Sequence, residues 1–313
     1  MVFCSGLQGK KRMILRTHPS FISWAWLMLL LLACLGLLSC TLKEGGMQGS
    51  MDNPENGAPM TSMEHEQLGD RMMAGNNLHM ALTHYNRALE MDPFNLEAGY
   101  KKGLVLYQAE NYQEALEAFM SVSKKDLRHA TAYEGKGRAF FQMGDYEQAM
   151  SNLLQALRLE PDLWRARAII GTIYDRRGQS DLAVHEHLKA IELKPDQGLL
   201  YNNLGVSYNL NGDFHKAVGA LRRALELDYQ NPKVYNNLGL ALAKTGNYAA
   251  ALVAFRKAGS EAQAHNNLGC AYLSAGRYQE AIRAFETALE LDPSFYDTAV
   301  KNLQKARLAK GNE

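Results

Sequence analysis

Hydrophobic and small residues recur along this chain with a period of 34 residues, from position 62 to position 295. Each period holds two stripes in which such residues stand three, four or seven places apart, as they do on one face of a helix. The unit 198–231 shows the first stripe, the break and the second stripe as Tyr201, Gly205, Tyr208; Gly212-Asp213; Ala217, Leu221, Ala224. Because Gly readily takes the backbone angles of a tight turn, each unit predicts two antiparallel helices joined at that break.

Seven units align on one glycine of the first stripe, with steps of 34 residues and a last step of 30. These glycines are Gly69, Gly103, Gly137, Gly171, Gly205, Gly239 and Gly269. An alanine follows each of them by 12 positions, so the two helices of a unit can approach closely. A repeat of this length predicts a solenoid, in which each unit buries its apolar face against its neighbours. The expected fold class is therefore all-α.

The repeats predict the organisation of most of the chain. We expect units at 62–95, 96–129, 130–163, 164–197, 198–231, 232–261 and 262–295. Residues 296–313 follow as one more amphipathic helix and a tail. The apolar face of this helix is expected to hold Ala299, Val300, Leu303 and Ala306. Such a helix would cover the exposed face of the last repeat.

The sixth unit is shorter than the others. Three residues, Gly259-Ser260-Glu261, join its second helix to the seventh unit, where the other units carry seven residues. Losing four residues removes about one helical turn and nearly preserves which face points inward. We expect a clipped second helix that stops at Gly259-Ser260, together with a local change of curvature.

The units resemble the tetratricopeptide repeat (TPR) family, whose pattern is an aromatic residue, Leu-Gly, Tyr, then Ala, Phe, Ala and Pro. The best matches are Tyr235 with Leu238-Gly239 and Gly246-Asn247-Tyr248, and Leu268-Gly269 with Tyr272, Ala281, Phe285, Ala288 and Pro293. The first unit departs from the pattern because it has Asn76-Asn77 at its turn. We interpret it as a degenerate capping repeat. The resemblance implies a right-handed superhelix of seven helix-turn-helix repeats plus a C-terminal capping helix. Its first helices would line a concave groove that holds peptides or partner proteins.

The start of the chain has the pattern of a secretory signal. A basic segment precedes an apolar run from 21 to 38, and small residues follow. Leu37-Leu38-Ser39-Cys40 resembles a bacterial lipobox, in which residues 1–39 are removed and Cys40 becomes the lipidated first residue. A second candidate is Cys34, and translation can also begin at Met13. The alternative is an uncleaved membrane helix, for which the apolar run is barely long enough, since about 20 residues are usual.

Residues 40–61 are rich in Gly, Pro, Ser and Asn, which predicts a flexible linker. By the same resemblance to lipoproteins, Thr41 after the lipidated Cys40 indicates the outer membrane, facing the periplasm. Removal of the signal leaves 30 Lys and Arg against 33 Asp and Glu, a formal charge of −3. Nucleic-acid binding needs a dense basic face, so this balance argues against such a role.

The chain shows no motif for catalysis, for a cofactor or for a metal ion. His185 and His187 stand two residues apart and point to different sides of a helix. The carboxylates are expected mainly near turns and on solvated outer faces. Cys270 is the one cysteine left after Cys40, and packing is its expected role. We therefore expect a protein that is not an enzyme and has no cofactor.

Three pairs of asparagines form the candidate binding site. They are Asn202-Asn203, Asn236-Asn237 and Asn266-Asn267, at the same place in three successive repeats. An amide offers both donors and an acceptor, so a row of them can hold an extended peptide backbone regardless of its sequence. TPR proteins with asparagine ladders use them in this way, and the second Asn of each pair is the better candidate. The alternative is that these asparagines only join neighbouring helices.

The earlier repeats lack these asparagines, so the groove is expected to have two chemically different halves. Candidates to line the first half are Tyr107, Phe141, Arg138 and Arg176, since aromatic residues and arginines are good anchors for partner chains. The alternative for these four is packing between repeats and surface charge.

The expected function is an envelope-anchored scaffold that binds partner proteins or peptides. The lipobox, the short sixth unit and the segment 261–269 resemble the Tad/Flp pilus assembly lipoproteins, and more loosely the pilotins of type IV pilus secretins. This resemblance implies a secretin or other pilus components as partners. Two alternatives stay open: an adaptor that recruits cell-wall hydrolases or proteases, and a structural protein held by an uncleaved N-terminal helix.

Overall fold

The computed structural model describes residues 59–292 and 296–311, and the regular structure in these ranges is helical throughout. The predicted signal segment 1–39 and most of the predicted linker 40–61, including Cys40, lie outside the described residues. Fifteen helices are described: α1 (Ser62–Ala74), α2 (Leu78–Met91), α3 (Leu96–Gln108), α4 (Tyr112–Lys125), α5 (Ala130–Met143), α6 (Tyr146–Leu159), α7 (Trp164–Arg176), α8 (Ser180–Leu193), α9 (Gly198–Asn211), α10 (Phe214–Glu226), α11 (Pro232–Lys244), α12 (Tyr248–Ala258), α13 (Glu261–Ser274), α14 (Tyr278–Leu291) and α15 (Tyr296–Gly311). The helices α1 to α14 form seven consecutive pairs, one for each unit of the sequence.

Small residues bring the two helices of each pair together, as the sequence predicts. At Gly205 an added Cβ would lie 2.5 Å from Cγ of Leu221. Ala217, on the facing helix, is fully buried. The repeat glycine of every unit meets the ring or branched end of one side chain in this way. Neighbouring pairs then stack through their apolar faces, which is the arrangement of a TPR superhelix.

A left-handed backbone position closes each first helix. Five units place glycine there, with φ between 71° and 86°: Gly144, Gly178, Gly212, Gly246 and Gly276. The first two units instead use Asn76, with φ of 56°, and Glu110, with φ of 62°. Asn tolerates this conformation better than most residues, whereas Glu adopts it at a cost.

The sixth unit has the clipped helix that its short spacing predicts. Helix α12 contains 11 residues, against 13 or 14 in the other second helices, and ends at Ala258. Ser260 then caps α13: its hydroxyl accepts from the backbone N–H of Gln263, whose side chain accepts in turn from the Ser260 N–H. The clipped helix is thus confirmed, while the change of curvature stays a prediction.

The last helix covers the end of the stack, as expected. Ala299, Leu303 and Ala306 of α15 are buried, and Leu303 and Ala306 join a cluster with Phe285 of α14. Val300, the fourth residue expected on this face, is half-buried. Among the described helices, none combines the length and the apolar character that crossing a bilayer requires.

Candidate partner-binding groove

The three asparagine pairs lie on the first helices of the last three repeats, α9, α11 and α13. The first member of a pair points into the stack: Asn202 is 9% exposed and Asn266 is 4% exposed, while Asn236 is half-buried. The second members, Asn203, Asn237 and Asn267, are half-exposed. In the first and third pairs the second member is therefore the more accessible to a partner, while Asn236 and Asn237 are both partly exposed.

Hydrogen bonds join these pairs from repeat to repeat. The Asn237 amide donates to Oδ1 of Asn202 at 3.3 Å, and the Asn267 amide donates to Oδ1 of Asn236 at 3.1 Å. The second Asn of one repeat thus holds the first Asn of the repeat before it. We call this row of bonds the asparagine ladder. It shows that the asparagines do join neighbouring helices, as the simpler interpretation holds.

The capping helix continues the ladder through a residue that the sequence pattern does not reveal. Asn302 of α15 is buried, and its amide donates to Oδ1 of Asn266 at 2.9 Å and contacts Sγ of Cys270 at 3.6 Å. It lies 36 residues after Asn266, whereas Asn237 lies 35 residues after Asn202. Because Asn302 falls outside the Asn-Asn-Leu-Gly pattern, the repeat alignment gives no signal for it.

The asparagine ladder leaves some donor and acceptor atoms of the accessible amides without a hydrogen bond. Within the described residues, Oδ1 of Asn237 and Oδ1 of Asn267 accept no hydrogen bond from the protein, and the Asn203 amide nitrogen donates none. An unused amide oxygen can accept from a peptide N–H, and an unused amide nitrogen can donate to a peptide carbonyl. The same side chains can therefore join the repeats and still hold a backbone.

Asn203 also lines a cleft of about 310 Å³ between α7 and α9. The other lining residues are Thr172, Asp175, Arg176, Val206 and Leu210. The Asp175 side chain is only 9% exposed, and the Ser207 hydroxyl donates to its Oδ2 at 2.6 Å. The cleft combines an apolar wall with an amide, a carboxylate and a guanidinium group, so it can orient a polar side chain of a partner.

Arginine and aromatic side chains pair in the second, third and fourth repeats. The Arg138 guanidinium lies 4.4 Å from the centre of the Tyr107 ring, and Arg176 lies 5.7 Å from the centre of the Phe141 ring. These are cation–π distances, and each pair joins adjacent repeats. The structure thus brings the four predicted residues together as two pairs, in which packing between repeats and a positive surface coexist.

Two carboxylates, Asp175 and Glu134, have largely buried side chains and are exceptions to the expectation that carboxylates lie mainly near turns and on solvated faces. Glu134 of α5 is 4% exposed, and its Oε1 has no hydrogen-bond partner within the described residues. Burial raises the pKa of the Glu134 carboxyl, and the nearby Arg138 and Arg165 partly offset this effect. Glu134 occupies the repeat position that Asn202 fills in the fifth unit, which explains its burial: that position points into the stack.

A charged cluster marks the start of the groove. Lys101 of α3 contacts Glu66 and Asp70 of α1, each at 2.8 Å. Burial acts to lower the pKa of Lys101, but the hydrogen bonds to the two carboxylates outweigh burial and raise it. This network joins the first two repeats at the position where the later repeats use the asparagine ladder.

His185 and His187 face different directions, as predicted from their spacing: His185 is exposed and His187 is fully buried. Across the described part of the chain, no group of three or more His, Cys, Asp or Glu side chains could hold a metal ion.

Family models match several parts of the chain. Models of the tetratricopeptide repeat match residues 134–198 and 262–295, and a model of the TPR repeat matches residues 207–246. Residues 74–156 match the model of the anaphase-promoting complex, cyclosome, subunit 3. A search of curated proteins gave no match.

Among similar solved structures, two with TM-scores above 0.5 show the same fold. The APC/C hetero-tetramer Cut9-Hcn1 is similar, with 24% identity and a TM-score of 0.58 over 77% of this chain and 47% of that chain. A tetratricopeptide repeat protein from Parabacteroides merdae has 15% identity and a TM-score of 0.53, over 79% of this chain and 98% of its own. YrrB, a TPR protein with an unusual peptide-binding site, has 22% identity and a TM-score of 0.43, over 55% of this chain and 89% of its own. This chain thus spans about half the length of the Cut9-Hcn1 chain that it matches.

The family models and these neighbours support the tetratricopeptide repeat family for this chain. The all-helical architecture is that of a TPR superhelix. This fold is typically a scaffold without catalytic activity that binds protein or peptide partners.

Proposed function

We propose that this protein is an envelope-anchored scaffold that holds an extended segment of a partner protein along the groove. The proposal rests on the different hydrogen bonding of the two asparagines in each pair. The first Asn accepts the bond between repeats, and the half-exposed second Asn keeps an unused amide oxygen or nitrogen. A row of fixed amides along successive repeats suits a repeating peptide backbone.

The two halves of the groove favour different features of the partner. The asparagine half recognises backbone, whatever the sequence. The first half presents Arg138 on Tyr107 and Arg176 near Phe141, so it favours acidic or aromatic side chains in the partner. The cleft at Asp175 and Asn203 lies between the halves, where it can fix the register of the bound segment.

The ladder permits a matched pair of variants to test this function. Asn237→Ala/Asn267→Ala removes two accessible amides and breaks two bonds of the ladder. Asn202→Ala/Asn236→Ala breaks the same two bonds from the acceptor side and leaves the accessible amides in place. The measurement is a crosslinking pull-down from membranes with the full chain, followed by identification of the captured proteins.

We expect the first variant to lose its partners and the second to keep them. Equal loss in both variants would show that the asparagines act only by joining the repeats. Full recovery with both would place the binding surface elsewhere on the scaffold.

We further propose that the chain is a lipoprotein of the bacterial outer membrane, anchored through Cys40 after removal of residues 1–39 and facing the periplasm. The basic start, the apolar run and the lipobox-like Leu37-Leu38-Ser39-Cys40 support this proposal. Labelling with radioactive palmitate tests it: the label is expected on the wild-type chain and absent from Cys40→Ser. An unlabelled wild-type chain that keeps its full length would favour the uncleaved helix.

The partners that we propose are a secretin or other components of a pilus or secretion machine, because the lipobox, the short sixth unit and the segment 261–269 resemble the Tad/Flp pilus assembly lipoproteins. Recovery of such components in the pull-down, with loss of pili in a deletion strain, would support this assignment. Recovery of cell-wall hydrolases or proteases, with septal defects and normal pili, would favour the adaptor function instead.

A further inference from the structure

One repeat has glycine at a position where the other six have a large side chain. Four residues before the repeat glycine, the other units have His65, Tyr133, Arg167, Tyr201, Tyr235 and His265. The second unit has Gly99 at this position. Without a side chain there, a cleft of about 540 Å³ opens between α2, α3 and α4.

The cleft has an apolar floor and a charged rim. Its floor contains Leu82, Leu89, Leu96 and Val122, and a Cβ added at Gly99 would lie 2.9 Å from Cγ2 of Val122. The rim carries two basic and two acidic residues: Lys102, Lys125, Glu114 and Glu117. Within the described residues, Lys102, Glu114 and Glu117 form no ion pair. The rim thus carries unused charges of both signs.

An exposed aromatic side chain stands beside this cleft. Phe94, in the loop between α2 and α3, is 75% exposed, the highest value among the large hydrophobic residues that the structure describes. It follows Pro93, which lines the cleft, and Nζ of Lys125 lies 5.6 Å from the centre of its ring. A projecting ring and a cleft missing a ring are therefore adjacent on one surface.

We propose that two copies of this chain form a symmetric dimer, in which Phe94 of each copy fills the Gly99 cleft of the other. In a contact with two-fold symmetry, each copy uses the same surface patch. Because Phe94 and the Gly99 cleft lie side by side on that patch, each copy can insert its Phe94 into the cleft of the other. The rim supports a second copy over another partner, because charges of both signs on one rim can pair with their own symmetry mates. A buried aromatic ring in a pocket is the usual anchor of such a contact.

This dimer leaves the groove open. The cleft is bounded mainly by the second helices α2 and α4, whereas the asparagine ladder lies on the first helices α9, α11 and α13. The dimer would present two grooves to a partner, and this inference is independent of what the grooves bind. Two linked sites raise avidity for a repetitive assembly without any new contact.

The test is the mass of the full chain, purified in a mild detergent, by light scattering across a range of concentrations. We expect wild type to have twice the mass of a single chain, as measured by mass spectrometry on the same sample. Phe94→Ser is expected to raise the dissociation constant at least about tenfold, as loss of an anchoring aromatic does. The matched control is Leu308→Ser on α15, which removes a side chain that is 70% exposed far along the chain from the cleft. Its dissociation constant is expected to equal that of wild type.

A second variant tests the contribution of the Gly99 cleft. Gly99→Phe/Val122→Ala fills the cleft from within and removes the contact with Val122, since the other repeats have Ala at that position. This variant is expected to form no dimers of its own. An equimolar mixture of Phe94→Ser and Gly99→Phe/Val122→Ala chains is expected to regain mixed dimers, because one chain still has Phe94 and the other still has an open cleft. A wild-type chain that stays monomeric would overturn the proposal, as would a dimer unaffected by Phe94→Ser. Monomers whose binding to phospholipid vesicles depends on Phe94 would overturn it in favour of a lipid contact.

Discussion

The His187 ring lies against Gly171 so closely that a Cβ added at Gly171 would be 2.7 Å from Cε1 of His187. The other six units make the same contact with a tyrosine, a phenylalanine or a leucine: Tyr85, Phe119, Leu153, Leu221, Phe255 and Phe285. His187 is fully buried, and neither ring nitrogen has a hydrogen-bond partner within the described residues. The nearest carboxylate oxygen, Oδ2 of Asp175, is 3.6 Å from Nε2.

We therefore expect His187→Phe to stabilise the protein. The substitution removes two buried polar atoms without partners and restores the ring that the other repeats use, which should add about 1–2 kcal/mol to the free energy of unfolding. Urea denaturation of the full chain measures this. The reciprocal control, Phe285→His, should lower the free energy of unfolding by a similar amount. A destabilised His187→Phe would mean that the imidazole and Asp175 support each other.

Glu134 makes the stability depend on pH. Burial raises its native pKa above the value in the unfolded chain, so the native state binds the proton more tightly. The free energy of unfolding then falls as pH rises from the ordinary Glu value of about 4.3 through the native pKa. We expect Glu134→Gln to be more stable than wild type at neutral pH, with a difference that vanishes in acid.

Denaturation of both proteins between acid and neutral pH measures the Glu134 effect. Glu192→Gln, which changes an exposed carboxylate on α8, is the control and should show no such convergence. A constant difference between Glu134→Gln and wild type at all pH values would place the effect in packing rather than ionisation.

The sequence predicts the features of this fold that depend on a residue's position within the repeat. The period places the helices, the clipped α12 and the inward face of α15, since each depends on which side of a helix a position occupies. For Glu134, the repeat position and the residue type lead to opposite predictions of burial. Its repeat position is the one that Asn202 fills, so the inward direction follows from the register, yet its charge suggests a solvated surface.

Contacts between repeats are less visible in the sequence because they join residues with no common pattern. Asp175, His187 and Ser207 come from three helices, α7, α8 and α9, and only the stacking brings them together. The partner-facing side of the asparagine pairs is inferred from the register, while the bonds that hold them require the distances between helices. Binding at Asn203, Asn237 and Asn267 stays a prediction.

Glu110 occupies a left-handed turn position at which five other repeats have glycine. A side chain in this conformation costs roughly 1–2 kcal/mol, and glycine recovers that cost less its larger entropy in the unfolded chain. We expect Glu110→Gly to raise the free energy of unfolding by about 0.5–1 kcal/mol. Gly212→Ala, at the equivalent turn, should lower it by about 1 kcal/mol. Thermal denaturation of the three proteins checks both signs, and a destabilised Glu110→Gly would show that the Glu side chain makes compensating contacts.

Asn302 ties the capping helix to the asparagine ladder, so its loss should loosen one end of the stack. Asn302→Ala leaves the buried Oδ1 of Asn266 without its donor, which costs about 1–3 kcal/mol. In a solenoid such a loss is local, because each repeat contacts only its neighbours. We expect faster amide hydrogen exchange in α13, α14 and α15, and unchanged exchange in α1 to α4. Gln304→Ala, an exposed neighbour on the same helix, is the control and should match wild type. Exchange that rises equally along the whole chain would instead indicate that the repeats unfold as one cooperative unit.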